Sequence, residues 1–282
     1  MPKLRWWQQL LIQVSLLLVA LYVIIPIWGI GRLAFDGSLE SRPTEFRLLP
    51  KEFSLRSFLE VLDKPYQSVS FVILFRNSMI VSISAAILAF FFGGALAYAL
   101  ARFRFRGRKS LLLVLLLTAF IPPIAFATPI YILLSILKIR TTLVALILVY
   151  TAFAMPFCIW NMRTSFQAVS RELEEAAYID GAGMLSTFWY VTLPISLPSI
   201  SVAALISFLM AYSEFAIGWF FVEKADTVTL AMSIYAMVQS GNAQPWSVLG
   251  SLVIIMSIPV VLLFVLLQNI LLERMLFVGK TD

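Results

Sequence analysis

The chain has 282 residues, of which 61% are hydrophobic and only 13% are charged, with a mean hydropathy of +0.94. Soluble domains carry about 25% charged residues, so this composition excludes a water-soluble globular protein. Histidine is absent and Cys158 is the single cysteine, which excludes an internal disulfide and a histidine-based catalytic or metal site. We therefore predict a membrane protein that is not itself an enzyme.

Six apolar runs are each long enough to cross a bilayer, which takes roughly 20 residues of helix. The runs are continuous rather than alternating, which excludes the strands of a membrane β-barrel. The sequence thus predicts an all-α polytopic membrane protein with six transmembrane helices. In chain order, the predicted spans are Leu10–Leu33, Phe71–Leu100, Leu111–Leu137, Leu143–Met162, Leu197–Val222 and Val248–Leu272.

Two of these spans have special features. The first follows Lys3 and Arg5 as a secretory signal would, but it is too long and lacks a small-residue cleavage site, so we predict a retained helix. The third contains Ile121-Pro122-Pro123 and later Pro129, which predict a kink. That kink could be a moving gate or a static bend.

The orientation follows from the positive charges in the short loops. Residues 102–109 carry five cations and no acid, which predicts a cytoplasmic loop. Residues 34–70 carry five cations and six acids, which fits the outer side. With six spans, both termini are then cytoplasmic, in a cell membrane. This topology accounts for the net charge of +6, so no nucleic-acid partner is needed.

A polar stretch, Ser170 to Gly181, interrupts the apolar sequence before the fifth span. Ser170 is a plausible N-cap, and Glu172, Glu174 and Glu175 place negative charge where the helix dipole favours it. Gly181 can adopt the left-handed conformation that ends a helix. The alternative is an amphipathic helix on the membrane surface, but such helices favour Lys and Arg on the polar face.

One face of this predicted helix is nearly flat. Leu173, Ala176, Ala177 and Asp180 recur at helical spacing, and two of them are alanines. Pro194 and Pro198 follow and lead into the next span. Such an element is suited to sit in a groove of another protein.

The same residues resemble the "EAA" signature of permease subunits in bacterial and archaeal ABC importers. The motif reads Glu175-Ala176-Ala177, Asp180-Gly181-Ala182, Phe188, Leu193-Pro194 and Pro198. Three further segments resemble the carbohydrate branch of that family, and the shorter maltose-type subunit in particular. They are Arg76-Asn77-Ser78, Ala97 to Phe103, and Ser213-Glu214-Phe215. The family usually has proline at the position of Ser170 and asparagine at that of Ser213.

The resemblance implies a type I ABC importer permease fold, with residues 1–282 as one transmembrane domain. Residues 1–70 would form the N-terminal helix and outer loop, and residues 71–282 the core, with a coupling helix in 170–190. Such a chain translocates a sugar, most often a di- or oligosaccharide, delivered by an extracytoplasmic binding protein. It works with a second, homologous permease and two ATP-binding cassette subunits, which bind ATP and Mg, so this chain needs no cofactor.

The resemblance also implies site residues in three groups. Coupling to the ATPase would use Glu172, Glu175, Ala176, Ala177, Asp180, Gly181 and Ala182. The substrate pathway would include Glu214 and Asn77, although Glu214 could instead form a structural pair with Arg76. The outer loop from Glu223 to Trp246 would reach the binding protein through Gly241, Asn242, Gln244 and Trp246, or be an ordinary loop with an interfacial tryptophan.

Two alternatives remain at the level of function. A permease of the same kind could carry another solute, such as glycerol phosphate esters. A secondary transporter is the rival class, but inverted repeats and mid-membrane carboxylates are not evident in this sequence. Co-purification with an ATPase would separate the importer from that rival.

Overall fold

The computed structural model describes residues 5–39, 43–45, 47–67, 69–239 and 245–278, with side chains up to residue 268. Within these ranges the chain is helical, and its β pairing is limited to two isolated bridges. The α-helices are α1 (Trp6–Ala34), α2 (Arg56–Asp63), α3 (Phe71–Arg102), α4 (Arg108–Phe120), α5 (Ala127–Ile136), α6 (Leu143–Ala168), α7 (Arg171–Ile179), α8 (Met184–Thr187), α9 (Leu193–Ser213), α10 (Ala216–Phe221), α11 (Leu230–Gln239) and α12 (Trp246–Val278).

The six predicted spans are found in this architecture. Five helical stretches in the described part are long and apolar enough to cross a membrane, and a bent pair of helices makes a sixth. The all-α, six-span prediction is therefore confirmed. The loop predicted over Glu223–Trp246 also contains a helix that we did not predict, α11.

The third span is broken rather than kinked. Helices α4 and α5, with a 3-10 turn at Pro123–Phe126 between them, meet at an angle of 102°. Proline restricts the residue before it to extended backbone. Two prolines in succession therefore hold Ile121 at ψ 125° and Pro122 at ψ 128°, and the helix cannot continue.

The fifth span is displaced from its predicted limits. A continuous helical stretch runs from Met184 to Ser213, including a π-helical turn at Phe188–Thr192. It passes through Pro194 and Pro198 without a break and ends well before the predicted limit at Val222. The start was predicted too late because we expected Pro194 and Pro198 to lead into the span, whereas both lie inside the continuous helical stretch.

The chain divides into two compact units, and the first comprises residues 1–71 and 234–258. Within it, Ala34 at the end of α1 meets the first turns of α12. A Cβ at Gly250 would lie 2.9 Å from the backbone nitrogen of Ala34, so only glycine permits this approach. Ser251 donates to the carbonyl of Ala34 at 3.2 Å. The adjoining loop is held by buried Asp36, which accepts from Ser38 and Lys51.

The second unit comprises residues 72–233 and 259–282. Its core lies between α3, α6 and α9, and small residues on α3 allow the helices to approach closely. The fully buried members include Ala89, Ala97, Leu100, Ile159, Met162, Phe166 and Ala203. Phe188 and Leu193, which follow the polar stretch, pack against this core.

Candidate functional site

The connecting segment, residues 169–192, joins α6 to the long helix that continues as α9. It begins with α7, and the hydroxyl of Ser170 accepts a hydrogen bond from the backbone N–H of Glu172 at 3.2 Å. Glu172 and Glu174 lie in the first turn, where the helix dipole stabilises their negative charge. The predicted N-cap is confirmed.

The predicted glycine break is confirmed as well. Gly181 has φ +85°, in the left-handed region where a side chain would be strained. The N–H of Gly181 donates to the carbonyl of Tyr178 at 3.1 Å, and the N–H of Ala182 to that of Ala177 at 2.9 Å. These two bonds form a Schellman motif, which satisfies the terminal carbonyls and fixes the corner between α7 and α8.

A buried ion pair anchors α7 to the second unit's core. Glu174 is only 5% exposed, and its carboxylate accepts from Nε of Arg102 at 2.9 and 3.0 Å. The hydroxyl of Thr192 donates to the same carboxylate. Arg102 also donates from Nη2 to the carbonyl of Val169 at 3.0 Å. One carboxylate thereby ties α7 to the end of α3 and to the π-helical turn before α9.

These contacts fix the start and the end of the connecting segment to the end of α3. Charge-assisted hydrogen bonds are shorter and about twice as strong as neutral ones. Breaking a buried ion pair leaves an uncompensated charge out of water, which costs about 3–5 kcal/mol. Moving α7 away from α3 and from the π-helical turn would therefore break this pair at that cost.

An aromatic cluster supports the anchor from the core side. The ring of Tyr98 packs edge to face on Phe188 at 4.9 Å and on Phe166 at 5.7 Å between centroids. Phe166 and Phe188 also pack together at 5.9 Å, and Phe103 closes the cluster. Edge-to-face pairs of this kind contribute roughly 0.5–1.5 kcal/mol beyond the area they bury. The cluster joins the ends of α3 and α6 to the π-helical turn.

Most of the surface of α7 is exposed. Among the predicted coupling residues, Glu172, Glu175, Ala176, Asp180 and Gly181 are exposed, and Ala177 and Ala182 are half-buried. Large apolar side chains of the same segment are exposed too, with Ile179 at 86% and Leu185 at 73%. Exposed apolar residues beside a flat alanine face are typical of a surface that another protein covers.

The structure separates two roles that the sequence could not. Glu175 was predicted to take part in coupling to the ATPase, and the carboxylate that holds the segment is its neighbour Glu174. Glu175 is exposed and so is available for an external contact. Both Glu174 and Arg102 were visible in the sequence, but their pairing spans 72 residues of chain and needs the packed helices.

The predicted pathway residues have structural contacts. Glu214 lies at the end of α9 rather than inside a helix, with ψ 130°, and accepts from the N–H groups of Ile217 and Gly218 at 2.9 and 3.2 Å. Its carboxylate caps α10. The ion pairs among the described residues do not include the alternative pairing with Arg76, whose Nη2 donates to Asn77 at 3.4 Å. Glu214 is still half-exposed.

Asn77 is fully buried and has no surface to offer a solute. Its amide donates to the backbone carbonyls of Asp226 at 2.7 Å and Val228 at 3.0 Å. Next to it, the hydroxyl of Ser78 accepts from the N–H of Leu230 at 2.8 Å. These two neighbours on α3 therefore position the loop between α10 and α11.

The predicted contact with a binding protein falls mostly outside the described residues. Gly241, Asn242 and Gln244 are not among them. Trp246 is the first residue of α12 and is half-buried. The loop's role therefore stays a prediction.

The family "Binding-protein-dependent transport system inner membrane component" matches residues 89–277, about two thirds of the chain and the whole connecting segment. The chain belongs to this family. It is thus a permease component of a binding-protein-dependent transport system in the inner membrane, which confirms the resemblance inferred from residues 175–198.

Relatives of this permease match it over about two thirds or more of its length. The inner membrane ABC transporter permease protein YcjP of Escherichia coli is 25% identical over 89% of this chain and 90% of its own. The trehalose/maltose transport system permease protein MalG of Thermococcus litoralis is 26% identical over 93% of each. The diacetylchitobiose uptake system permease protein NgcG of Streptomyces coelicolor is 32% identical over 69% of this chain and 65% of its own.

Solved structures show that the permease fold is shared. A chain of a bacterial ABC transporter that imports the acidic polysaccharide alginate superposes with a TM-score of 0.74, covering 95% of this chain and 99% of that one. A chain of the MetNI methionine ABC transporter gives a TM-score of 0.59 over 70% of this chain and 92% of its own. Their identities, 20% and 19%, make this a likeness of fold.

Proposed function

We propose that this chain is a membrane-spanning permease subunit of an ATP-driven importer that takes up a sugar delivered by an extracytoplasmic binding protein. The names of its relatives support a di- or oligosaccharide, since they include permeases for maltodextrin, diacetylchitobiose and trehalose/maltose. Because the chain belongs to a family of binding-protein-dependent transport systems, we favour an importer over a secondary transporter.

The partners follow from the same proposal. A second, homologous permease completes the pathway, and two ATP-binding cassette subunits bind ATP and Mg and hydrolyse the nucleotide. This chain carries no ATPase chemistry. The connecting segment and both termini face the cytoplasm, because residues 102–109 concentrate positive charge at the same end of α3 that anchors α7.

The observation that carries the proposal is the contrast between the two sides of α7. Toward the core, Glu174 and the aromatic cluster hold the helix firmly. Away from the core, Ala176 and Ile179 are exposed, as a surface for an ATPase subunit requires. When the ATPase subunits close on ATP, they carry α7 with them, and the Schellman corner passes the displacement to the helix that starts at Met184.

The anchor gives this displacement a second route. Because Glu174 is bonded to Arg102 and to Thr192, a shift of α7 moves the end of α3 together with the start of α9. Both helices belong to the core of the second unit. Their joint movement would change the access of the pathway from one side of the membrane to the other.

Cysteine protection in the assembled importer tests the proposal. The native Cys158 is buried, so a chain with Ala176→Cys presents one exposed thiol in the segment. We expect a maleimide to label this thiol in the isolated chain and to label it at least tenfold more slowly when the ATPase subunits are bound. Lys64→Cys, exposed in a loop of the first unit, is the matched control whose labelling rate stays the same.

The opposite result would be equally informative. If an ATPase fails to co-purify with the chain, or if Ala176→Cys is labelled equally fast in the complex, the connecting segment is not the ATPase contact. Calorimetry of the purified binding protein with candidate sugars then tests the substrate class separately.

A further inference from the structure

A basic cavity lies beside the connecting segment but takes no part in the site described above. Its volume is about 570 Å³, and it opens between the loop that follows α3, the first turn of α4 and the last turns of α6. The lining residues are Arg104, Phe105, Gly107, Arg108, Lys109, Ser110, Leu112 and Arg163. Four of these eight residues carry a positive charge.

These charges are not neutralised within the described part of the chain. Its ion pairs join other residues, and none of them includes Arg104, Arg108, Lys109 or Arg163. The Nε atom of Arg163 is shielded from solvent and has no hydrogen-bond partner there. Four cations gathered around one cavity repel each other, so an anion between them removes both the repulsion and the unsatisfied donor.

The backbone at the cavity adds donors of the same kind. Helix α4 starts at Arg108 after Gly107, which has φ +88°, and no side chain caps it. The first N–H groups of a helix have no partner within the helix and carry a partial positive charge, although here the N–H of Arg108 donates to the carbonyl of Phe105 at 3.4 Å. They lie among the cationic side chains and reinforce the site for a group with several acceptor oxygens.

The position of the cavity between two apolar helices indicates that it lies near a membrane surface. It sits where the spanning helix α3 ends and the apolar helix α4 begins. Phe103 and Phe105 are exposed on the loop between them, and Trp160 is 46% exposed on α6, with the guanidinium of Arg163 5.9 Å from its ring. Aromatic side chains flanked by Lys and Arg are typical of the headgroup region of a bilayer.

We propose that this cavity binds the phosphate group of an anionic phospholipid. Guanidinium groups match phosphate oxygens with paired hydrogen bonds, and basic pockets between transmembrane helices are known to select anionic headgroups. Arg108 and Arg163, which face each other from α4 and α6, hold the phosphate, and the acyl chains lie along the apolar surface of the two helices. The lipid thereby ties together two spans beside the connecting segment.

Native mass spectrometry of the purified full-length chain, with defined lipids added, tests the proposal. It needs no ATPase partner, so its outcome is independent of the proposed transport function. The wild-type chain is titrated with phosphatidylglycerol and with phosphatidylcholine of the same acyl chains. We expect retention of phosphatidylglycerol and little of the zwitterionic lipid. Inorganic phosphate at 10-fold molar excess over lipid should not displace it.

Variants locate the binding. Arg108→Gln/Arg163→Gln should weaken phosphatidylglycerol binding roughly thirtyfold, since each cation at a headgroup contributes about a fivefold factor. It leaves Arg104 and Lys109 in place to preserve the topology. Lys64→Gln/Lys138→Gln removes two exposed charges elsewhere and should leave the affinity unchanged. Arg163→Lys keeps the charge but loses the paired hydrogen bonds, so an intermediate loss is expected.

The proposal is overturned by any of three results. Equal binding of the two lipids would remove the role of charge. An equal loss in the Lys64→Gln/Lys138→Gln control would mean that net charge alone attracts the lipid. Displacement by inorganic phosphate would show that the site takes a soluble anion. A circular-dichroism spectrum and elution volume like those of the wild type confirm that each variant is folded before it is compared.

Discussion

The buried pair between Glu174 and Arg102 gives the sharpest prediction for this permease. Glu174→Gln keeps the shape of the side chain but leaves the Arg102 guanidinium out of water with neutral carbonyl acceptors and no compensating negative charge. Breaking a buried pair costs about 3–5 kcal/mol. Because the two side chains retain 8% and 7% exposure, we expect the lower end, about 3 kcal/mol. For a chain of this size that lowers the thermal midpoint by roughly 6–12 °C.

The assay is thermal unfolding of the purified full-length chain in detergent, followed by tryptophan fluorescence. Glu175→Gln is the matched control, since it makes the same chemical change one residue away on the exposed side of α7 and should shift the midpoint by under about 2 °C. Arg102→Gln should be as damaging as Glu174→Gln. The double variant should cost no more than either single variant, because no charge is left buried.

Two results would refute this reasoning. If Glu174→Gln and Glu175→Gln unfold at the same temperature, the pair does not anchor the helix. If the costs of the two single variants add in the double variant, the residues act independently and their contact carries no coupling energy.

Three further predictions concern other parts of the chain. Gly181→Asp should abolish transport and cut recovery of the ATPase in a pull-down about tenfold while leaving the protein in the membrane, because φ +85° strains any side chain. Gly183 has φ −77° and open space around it, so Gly183→Asp is the control that should retain transport and ATPase recovery. Asn77→Ala leaves two backbone carbonyls without their buried donor, so the free energy of unfolding should fall by about 2 kcal/mol, measured as a lower thermal midpoint. The hydrogen bond from Arg140 holds the pKa of Glu223 below its usual value. The ion pair therefore persists as the pH falls through the ordinary range of glutamate and is lost only at the lowered pKa. Arg140→Gln should raise the pKa of Glu223, measured by carbon-13 NMR of the carboxyl group.

Local features were predictable because they depend on neighbouring residues alone. The N-cap at Ser170 and the left-handed Gly181 follow from the chemistry of single residues at a helix end, and the structure has both. The apolar runs predicted the spans for the same reason, because a helix satisfies its own backbone hydrogen bonds wherever it crosses lipid.

Proline was the residue whose effect the sequence left open. Pro122 and Pro123 end a helix, whereas Pro194 and Pro198 lie within one. The difference depends on position. Pro194 and Pro198 lie inside the continuous stretch Met184–Ser213, and neighbouring elements in a membrane protein can satisfy the carbonyls that such prolines free. Which case applies is decided by the packing around the helix.

By itself, the sequence determined that the chain is a six-span membrane protein and that residues 170–181 form a capped helix ended by glycine, since composition and local backbone chemistry suffice for both. Only the tertiary structure decided which of three neighbouring acids is the anchor. Glu172, Glu174 and Glu175 have the same charge in the sequence, but only Glu174 points at Arg102 and Thr192. A carboxylate's role depends on its partners and its solvent, and both are set by residues distant in the chain.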